Sequence, residues 1–495
     1  MTHPAYDTLT QAWTRLHHFS HLQEMAGWDR AANMPLKGNA ARANAMAEMD
    51  ALLHRLRTEP ALADLVKRAQ DEPLDDLARA NLREIERDWR AANALPETLV
   101  QAQSLAGARC EHAWRSQRTA NDWAGFLPNL REVLRLAREE AARRADSTGL
   151  SPYDALMDRF EPGMTSAEVD RVFGDLQQWL PALVQQVRER QAHEPVVLPK
   201  GPFPKAAQRA LSLEVMGVLG FDFDAGRLDE STHPFSGGVP EDVRLTTRYG
   251  EADFVQSLMG TIHETGHARY EQNLPRDWLG QPVGRARSMG IHESQSLSFE
   301  MQLGRSRAFI GLLAPRLSAH FGAQPAFEPE ALQRSLTRVQ PSFIRVDADE
   351  LTYPAHVILR YRIERALIDG SAQVEDVPAL WDEGMASLLG VDTRGNFNHG
   401  CMQDVHWASG AFGYFPCYTL GAMYAAQWFA TIRRGVPDLD ARIASAELAP
   451  VFNWLRDNIW LQASRWPTAE LAVRASGEAL NPVHFRRHLE ARYLD

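Results

Sequence analysis

Three observations predict a mainly α fold with a small β-sheet near its middle. Apolar residues recur at helical spacing through most of the chain. Proline and glycine interrupt these stretches at intervals suited to helix connections. The best strand signal, "EDVRLTTRYG" at 241 to 250, sets branched residues between turn formers. Taken in order, "NAARANAMAEMDALLHRLRTEP" places Met46, Met49, Leu53 and Leu56 on one helix face and stops before Pro60. In "GMTSAEVDRVFGDLQQWLPAL", Thr165 and Glu168 stand at capping-box spacing ahead of Val169, Val172, Phe173 and Leu176. The irregular "EPVVLPKGPFP", 194 to 204, separates an N-terminal helical half (1–200) from a second half (201–495) within one predicted unit. From Glu251 a further helix is expected, with Asp253 as N-cap, Gln256 three residues on, and Phe254, Leu258 and Ile262 along one side.

Apolar residues make up 44% of the chain and charged residues 24%, an ordinary balance for a globular protein with a large core. The net charge of -11 argues against nucleic acid or another polyanion as partner. Cys110, Cys401 and Cys417 are few, odd in number and without metal-type spacing, which predicts reduced thiols in a cytoplasmic protein. The start, "MTHPAYDTLTQAWTRL", lacks the basic-then-apolar form of a secretory signal, and no stretch is long enough to span a membrane.

One short pattern carries specific chemistry. In "GTIHETGHARYEQNL", His263 and His267 stand one turn apart on the same helix face, where both imidazoles reach one metal ion. Glu264 lies beside them, close enough to a metal-bound water to take its proton. A hydrolytic zinc site has three protein ligands and an open position. Downstream, "MGIHESQSLSFEMQ" offers His292, Glu293 and Glu300, with Glu293 following His267 by 26 positions, room for a loop and a return helix. A second histidine cluster, "LHHFSHLQ" at 16 to 23, reads as an amphipathic helix face rather than another metal site.

Further motifs in the same order make the chain recognisable. They are "HPF" at 233 to 235, "DVRLT" at 242 to 246, "HETGH" at 263 to 267 and "HESQ" at 292 to 295. "IRVDAD" follows at 344 to 349, "GCMQDVHW" at 400 to 407 and "FGYFPCYTLG" at 412 to 421, with weaker likeness in "WDRAANMP" and "PYDALMDRFEPG". With these the chain resembles the thermostable (Taq-type) zinc metallocarboxypeptidase family along nearly its whole length. The resemblance implies a large helical metallopeptidase fold with its small sheet beside the active-site groove. It implies His263, His267 and Glu293 as zinc ligands, with cobalt as a substitute metal, and Glu264 as general base. His292 is expected beyond the ligands or at the substrate.

A carboxypeptidase must grip a free terminal carboxylate, which a guanidinium does through two parallel hydrogen bonds. The resemblance singles out Arg345, with Asp347 and Asp349 as candidates to orient it, and Arg244 beside Asp242 as the second choice. His406 with Tyr414 or Tyr418 is expected to face the oxyanion, and His233 to touch substrate. The implied partners are peptides with a free C-terminus and a second copy of the chain, in a homodimer. Two rivals stay open at this stage: a related oligopeptidase cutting internal bonds, and a helical binding protein with a vestigial metal site.

Overall fold

The computed structural model describes residues 3–231 and 234–494; His233 lies outside them. Helices α1 (Pro4–Ala32), α2 (Asn39–Arg57), α3 (Ala61–Gln70) and α4 (Asp76–Asn93) come first. They close around an apolar cluster of their own that includes Leu9, Trp13, Leu16, Leu53, Val66 and Ile85. Helices α5 (Glu97–Thr119), α6 (Trp123–Thr148), α7 (Pro152–Met157) and α8 (Ser166–Gln191) instead join the main core, which continues into the C-terminal part of the chain. At the start of α8 the Thr165 hydroxyl accepts from the Glu168 amide as expected, but the Glu168 carboxylate turns to Arg171, so only half of the capping box forms.

After the irregular stretch and α9 (Lys205–Val218), the chain forms β1 (Gly226–Glu230), β2 (Phe235–Val239) and β3 (Asp242–Thr247). Their order is β1-β3-β2, with β1 parallel and β2 antiparallel to β3. Leu228, Val243 and Leu245 pack the sheet against Ala268 of α10 (Val255–Gln272) and Met216 of α9. Helix α10 begins later than predicted. Phe254 takes the N-cap position, Asp253 accepts instead from the nearby Val255 amide, and Gln256 binds Arg248.

Then follow α11 (Met289–Leu297), α12 (Arg307–Phe321), α13 (Pro329–Leu336), α14 (Tyr353–Asp369), α15 (Val377–Leu389), α16 (His406–Ser409) and α17 (Pro416–Gly435). Four shorter helices close the chain, ending at Tyr493. A π-helical segment, Ser298–Gly304, extends α11. No helix among the described residues is long and apolar enough to cross a membrane.

Candidate metal centre

Helix α10 presents His263 and His267 toward α11, which presents Glu293. Their ligand atoms lie within 4.8 Å of one another. The Glu293 carboxylate is 3.4 Å from His267 Nε2 and 3.9 Å from His263 Nε2. Close helix packing makes this convergence possible. A Cβ on Gly266 would stand 2.5 Å from the Gln295 carbonyl oxygen, so glycine lets α10 approach the backbone of α11. On the other side of α11, a Cβ on Gly421 of α17 would stand 2.7 Å from Glu293 Cβ and Cγ. Glu161, from the "PYDALMDRFEPG" stretch, fixes the beginning of α11. Its buried carboxylate accepts from the Ser288 hydroxyl at 2.7 Å and the Gly290 amide at 2.8 Å.

Each histidine is held from behind. His263 Nδ1 lies 3.0 Å from Glu300 Oε2, and Arg305 donates to the other oxygen of Glu300. With Nδ1–H donating to Glu300, the Nε2 lone pair of His263 faces Glu293. His267 Nδ1 lies 2.7 Å from His292 Nδ1, and His292 Nε2 lies 2.8 Å from Glu271 Oε1. One proton arrangement satisfies every atom of this chain: His267 Nδ1–H donates to His292, and His292 Nε2–H donates to Glu271. It leaves His267 Nε2 as a bare donor atom. Once His263 is deprotonated at Nε2, two imidazole nitrogens and a carboxylate converge, and the donor set fits a divalent cation.

The carboxylates that would favour a cation here also favour a proton on His263. Burial disfavours the charged form of His263, but Glu293 and the bond to Glu300 outweigh it and hold His263 up to about 10. His263 must release a proton before its Nε2 can serve a cation. Burial pushes Glu264 up to about 7, opposed by His263 and reinforced by Glu293. The Ser236 hydroxyl of β2 supplies it with a hydrogen bond.

These residues line a groove of about 680 Å³. Its lining carries His263, Glu264, His267, His292, Glu293, Tyr414 and Tyr418. The lining also includes residues of β2 and His17, Ser20, His21 and Glu24 of α1. The second histidine cluster holds no metal group among the described residues, but two of its members face this groove.

Behind Tyr418 lies Arg345, only 5% exposed. Its guanidinium donates to Asp404 Oδ1 from Nε and Nη2, both at 3.0 Å, and to the Tyr353 hydroxyl from Nη1 at 2.6 Å. It also sits 4.8 Å from the Tyr418 ring centre. Asp404 takes a second guanidinium, from Arg360 of α14, at 2.6 Å. Burial opposes its charge, yet Arg360 and Arg345 hold its carboxyl well below the usual range. Asp347 and Asp349 do not orient Arg345. Asp349 instead accepts from the Leu351 and Thr352 amides ahead of α14. His406 Nε2 lies 3.1 Å from the Tyr418 hydroxyl, and burial lowers His406 to about 4, so the ring is neutral. Arg244 grips Asp242 through two hydrogen bonds and lies over Trp28; neither Arg244 nor Asp242 lines the groove.

A site of this form, spread along the whole chain, invites comparison with known proteins. Residues 8–493 match the family model described as carboxypeptidase Taq (M32) metallopeptidase. The chain is 38% identical to thermostable carboxypeptidase 1 of Thermus thermophilus, over 99% of this chain and 98% of that protein. It is 35% identical to carboxypeptidase 1 of Bacillus subtilis, over 97% and 96%. Its fold superposes on Trypanosoma cruzi metallocarboxypeptidase 1 with a TM-score of 0.98 at 48% identity, covering all of both chains. The chain belongs to the carboxypeptidase Taq (M32) metallopeptidase family.

It is a metallocarboxypeptidase, and membership implies a divalent metal. The rival readings as an oligopeptidase or as a binding protein with a vestigial site fall away with this result. Sequence reasoning did not single out several residues that contact the candidate side chains, Glu271, Arg305, Tyr353, Arg360 and Asp404, or the groove face of α1. Glu300 was visible in the HESQ helix but had no role there. Asp404 carried a usable signal, since it lies in "GCMQDVHW", two residues before His406.

Proposed function

We propose that His263, His267 and Glu293 hold zinc, with cobalt as a functional substitute, and that Glu264 is the general base. The two-imidazole, one-carboxylate donor set supports zinc, which favours tetrahedral sites with one position open. A divalent cation held there supplies Lewis acidity toward the scissile carbonyl and its attacking water. Glu264 takes the water's proton on a carboxylate oxygen as the water's oxygen bonds to the carbonyl carbon. It passes that proton to the leaving amine as the C–N bond breaks, releasing one amino acid and a peptide shorter by one residue.

One observation carries the assignment of the terminal carboxylate to Arg345. Two buried guanidiniums share a single carboxylate, Asp404, directly behind a tyrosine of the groove. That hydrogen-bonded group is one negative charge short, and a substrate's C-terminus supplies a carboxylate. Arg345 uses three of its five N–H donors among the described residues, which leaves a pair for the newcomer. Access requires Tyr418 to give way. Neutral His406, donating from Nε2, would turn the Tyr418 O–H toward the groove, where it and Tyr414 face a developing oxyanion. We place His292 behind the metal rather than at the substrate, and assign Arg244 and Asp242 to the support of β3. The family resemblance further implies a homodimer, and three buried unpaired cysteines support a reducing, cytoplasmic setting.

The test is Arg345→Ala assayed on paired peptides with free and amidated C-termini. Loss of charge-assisted hydrogen bonds predicts a fall in kcat/KM of roughly ten- to over a hundred-fold on free-carboxylate peptides. Arg345→Lys should recover part of it, and metal content should not change. A variant that cleaves the two peptides in the wild-type ratio would exclude Arg345 as the reader of the terminal carboxylate.

A further inference from the structure

We propose that Glu271 and His292 are positioning residues that set the hold of the site on its metal through His267. The proposal rests on the ligand set given above. The two ligand histidines have unlike supports. His263 leans on a carboxylate that Arg305 neutralises, inside the protein. His267 leans on a second imidazole, and that imidazole leans on Glu271, which with His292 lines the open groove.

A neutral imidazole is a poorer acceptor than a carboxylate, and its acceptor atom is available in one tautomer only. Glu271 selects that tautomer. By accepting at 2.8 Å from His292 Nε2–H, it leaves His292 Nδ1 bare to accept from His267 Nδ1–H at 2.7 Å. Without Glu271, His292 can carry its proton on Nδ1, where it opposes the proton of His267 and turns that ring away. The carboxylate thus acts at a distance of two rings. Its position on the groove wall makes His267 the ligand whose support water and substrate reach.

The experiment measures cobalt(II) affinity by competition with a chelator, together with the visible absorption bands of the bound ion. His292→Ala and Glu271→Ala should each raise the dissociation constant ~10–100-fold and shift the bands, since outer partners of ligands contribute on that scale. Glu271→Gln keeps an oxygen to accept from His292 and should restore most of the affinity. A merely structural defect would lower occupancy without moving the bands and would gain nothing from the amide. Unchanged affinity and bands in His292→Ala would overturn the proposal. His267→Ala separates the two readings. Wild-type affinity there overturns the ligand assignment itself, whereas loss there beside an unchanged His292→Ala overturns the relay alone.

Discussion

At the scale of single residues, the centre was legible where chemistry dictates spacing. His263 and His267 must share a helix face to share an ion, so their separation of four is itself the signal. Glu264 follows from its place between them. Asp404 and Arg360 do not announce themselves in this way, because a guanidinium–carboxylate pair imposes no spacing, and these two lie 44 positions apart. Burial decides which of 53 basic residues matters, and burial is a property of the fold. The residue whose role has the sharpest test is Glu264. Glu264→Gln keeps the size of the side chain and leaves all three candidate ligands in place, but an amide cannot take water's proton. Turnover is expected to fall by about 10²–10⁴-fold, the usual worth of a general base, while metal content stays at the wild-type level. Metal analysis and single-turnover rates on one free-carboxylate peptide check both halves. Near-normal turnover would remove Glu264 from the base's position.

At the scale of elements, helices were legible because their caps and apolar faces are local, and β3 because branched residues gather in it. Strands β1 and β2 were not. "GRLDE" and "FSGGV" lack apolar alternation and become strands only because β3 offers both of its edges. The π-helical segment that carries Glu300 was equally hidden, since its register answers to His263 on another helix. Gly421 shows how an element can matter through what it lacks. In the sequence it is only the end of an aromatic motif; in the fold it is the gap that admits Glu293. Gly421→Ala places a methyl 2.7 Å from two carbons of Glu293, so α17 or α11 must move. Overpacking of that kind costs about 1–3 kcal/mol. The expected result is a lower melting temperature for the metal-free protein and weaker metal retention, because the displaced element carries the proposed ligand Glu293. Retention at the wild-type level beside lower stability would show that α11 yields without moving its carboxylate.

At the scale of the whole molecule, the groove is built from parts far apart in the chain. Helix α1 belongs to a separate apolar cluster, yet it lines the same groove as the candidate metal residues. The sequence presents "LHHFSHLQ" as a helix face but not what that face looks at, since nothing local encodes the approach of residues more than 240 positions away. If α1 is a true wall of the substrate path, its effect must depend on substrate length. On the proposed assignment, a blocked dipeptide would reach the metal and Arg345 without extending across the groove, whereas a longer peptide would run along it. Ser20 is small, faces the groove and lies outside the proposed catalytic set. Ser20→Trp fills space there without adding charge. An obstruction costing ~1–3 kcal/mol predicts a kcat/KM lower by about five- to over a hundred-fold for hexapeptides, with blocked dipeptides cleaved at the wild-type rate. Kinetics on a series of peptides of increasing length, sharing one C-terminal residue, measure this directly. An equal loss at every length would mean that the substitution disturbs the metal centre through the fold. No loss at any length would mean that peptides leave the groove by another side, and that α1 closes a space substrates never enter.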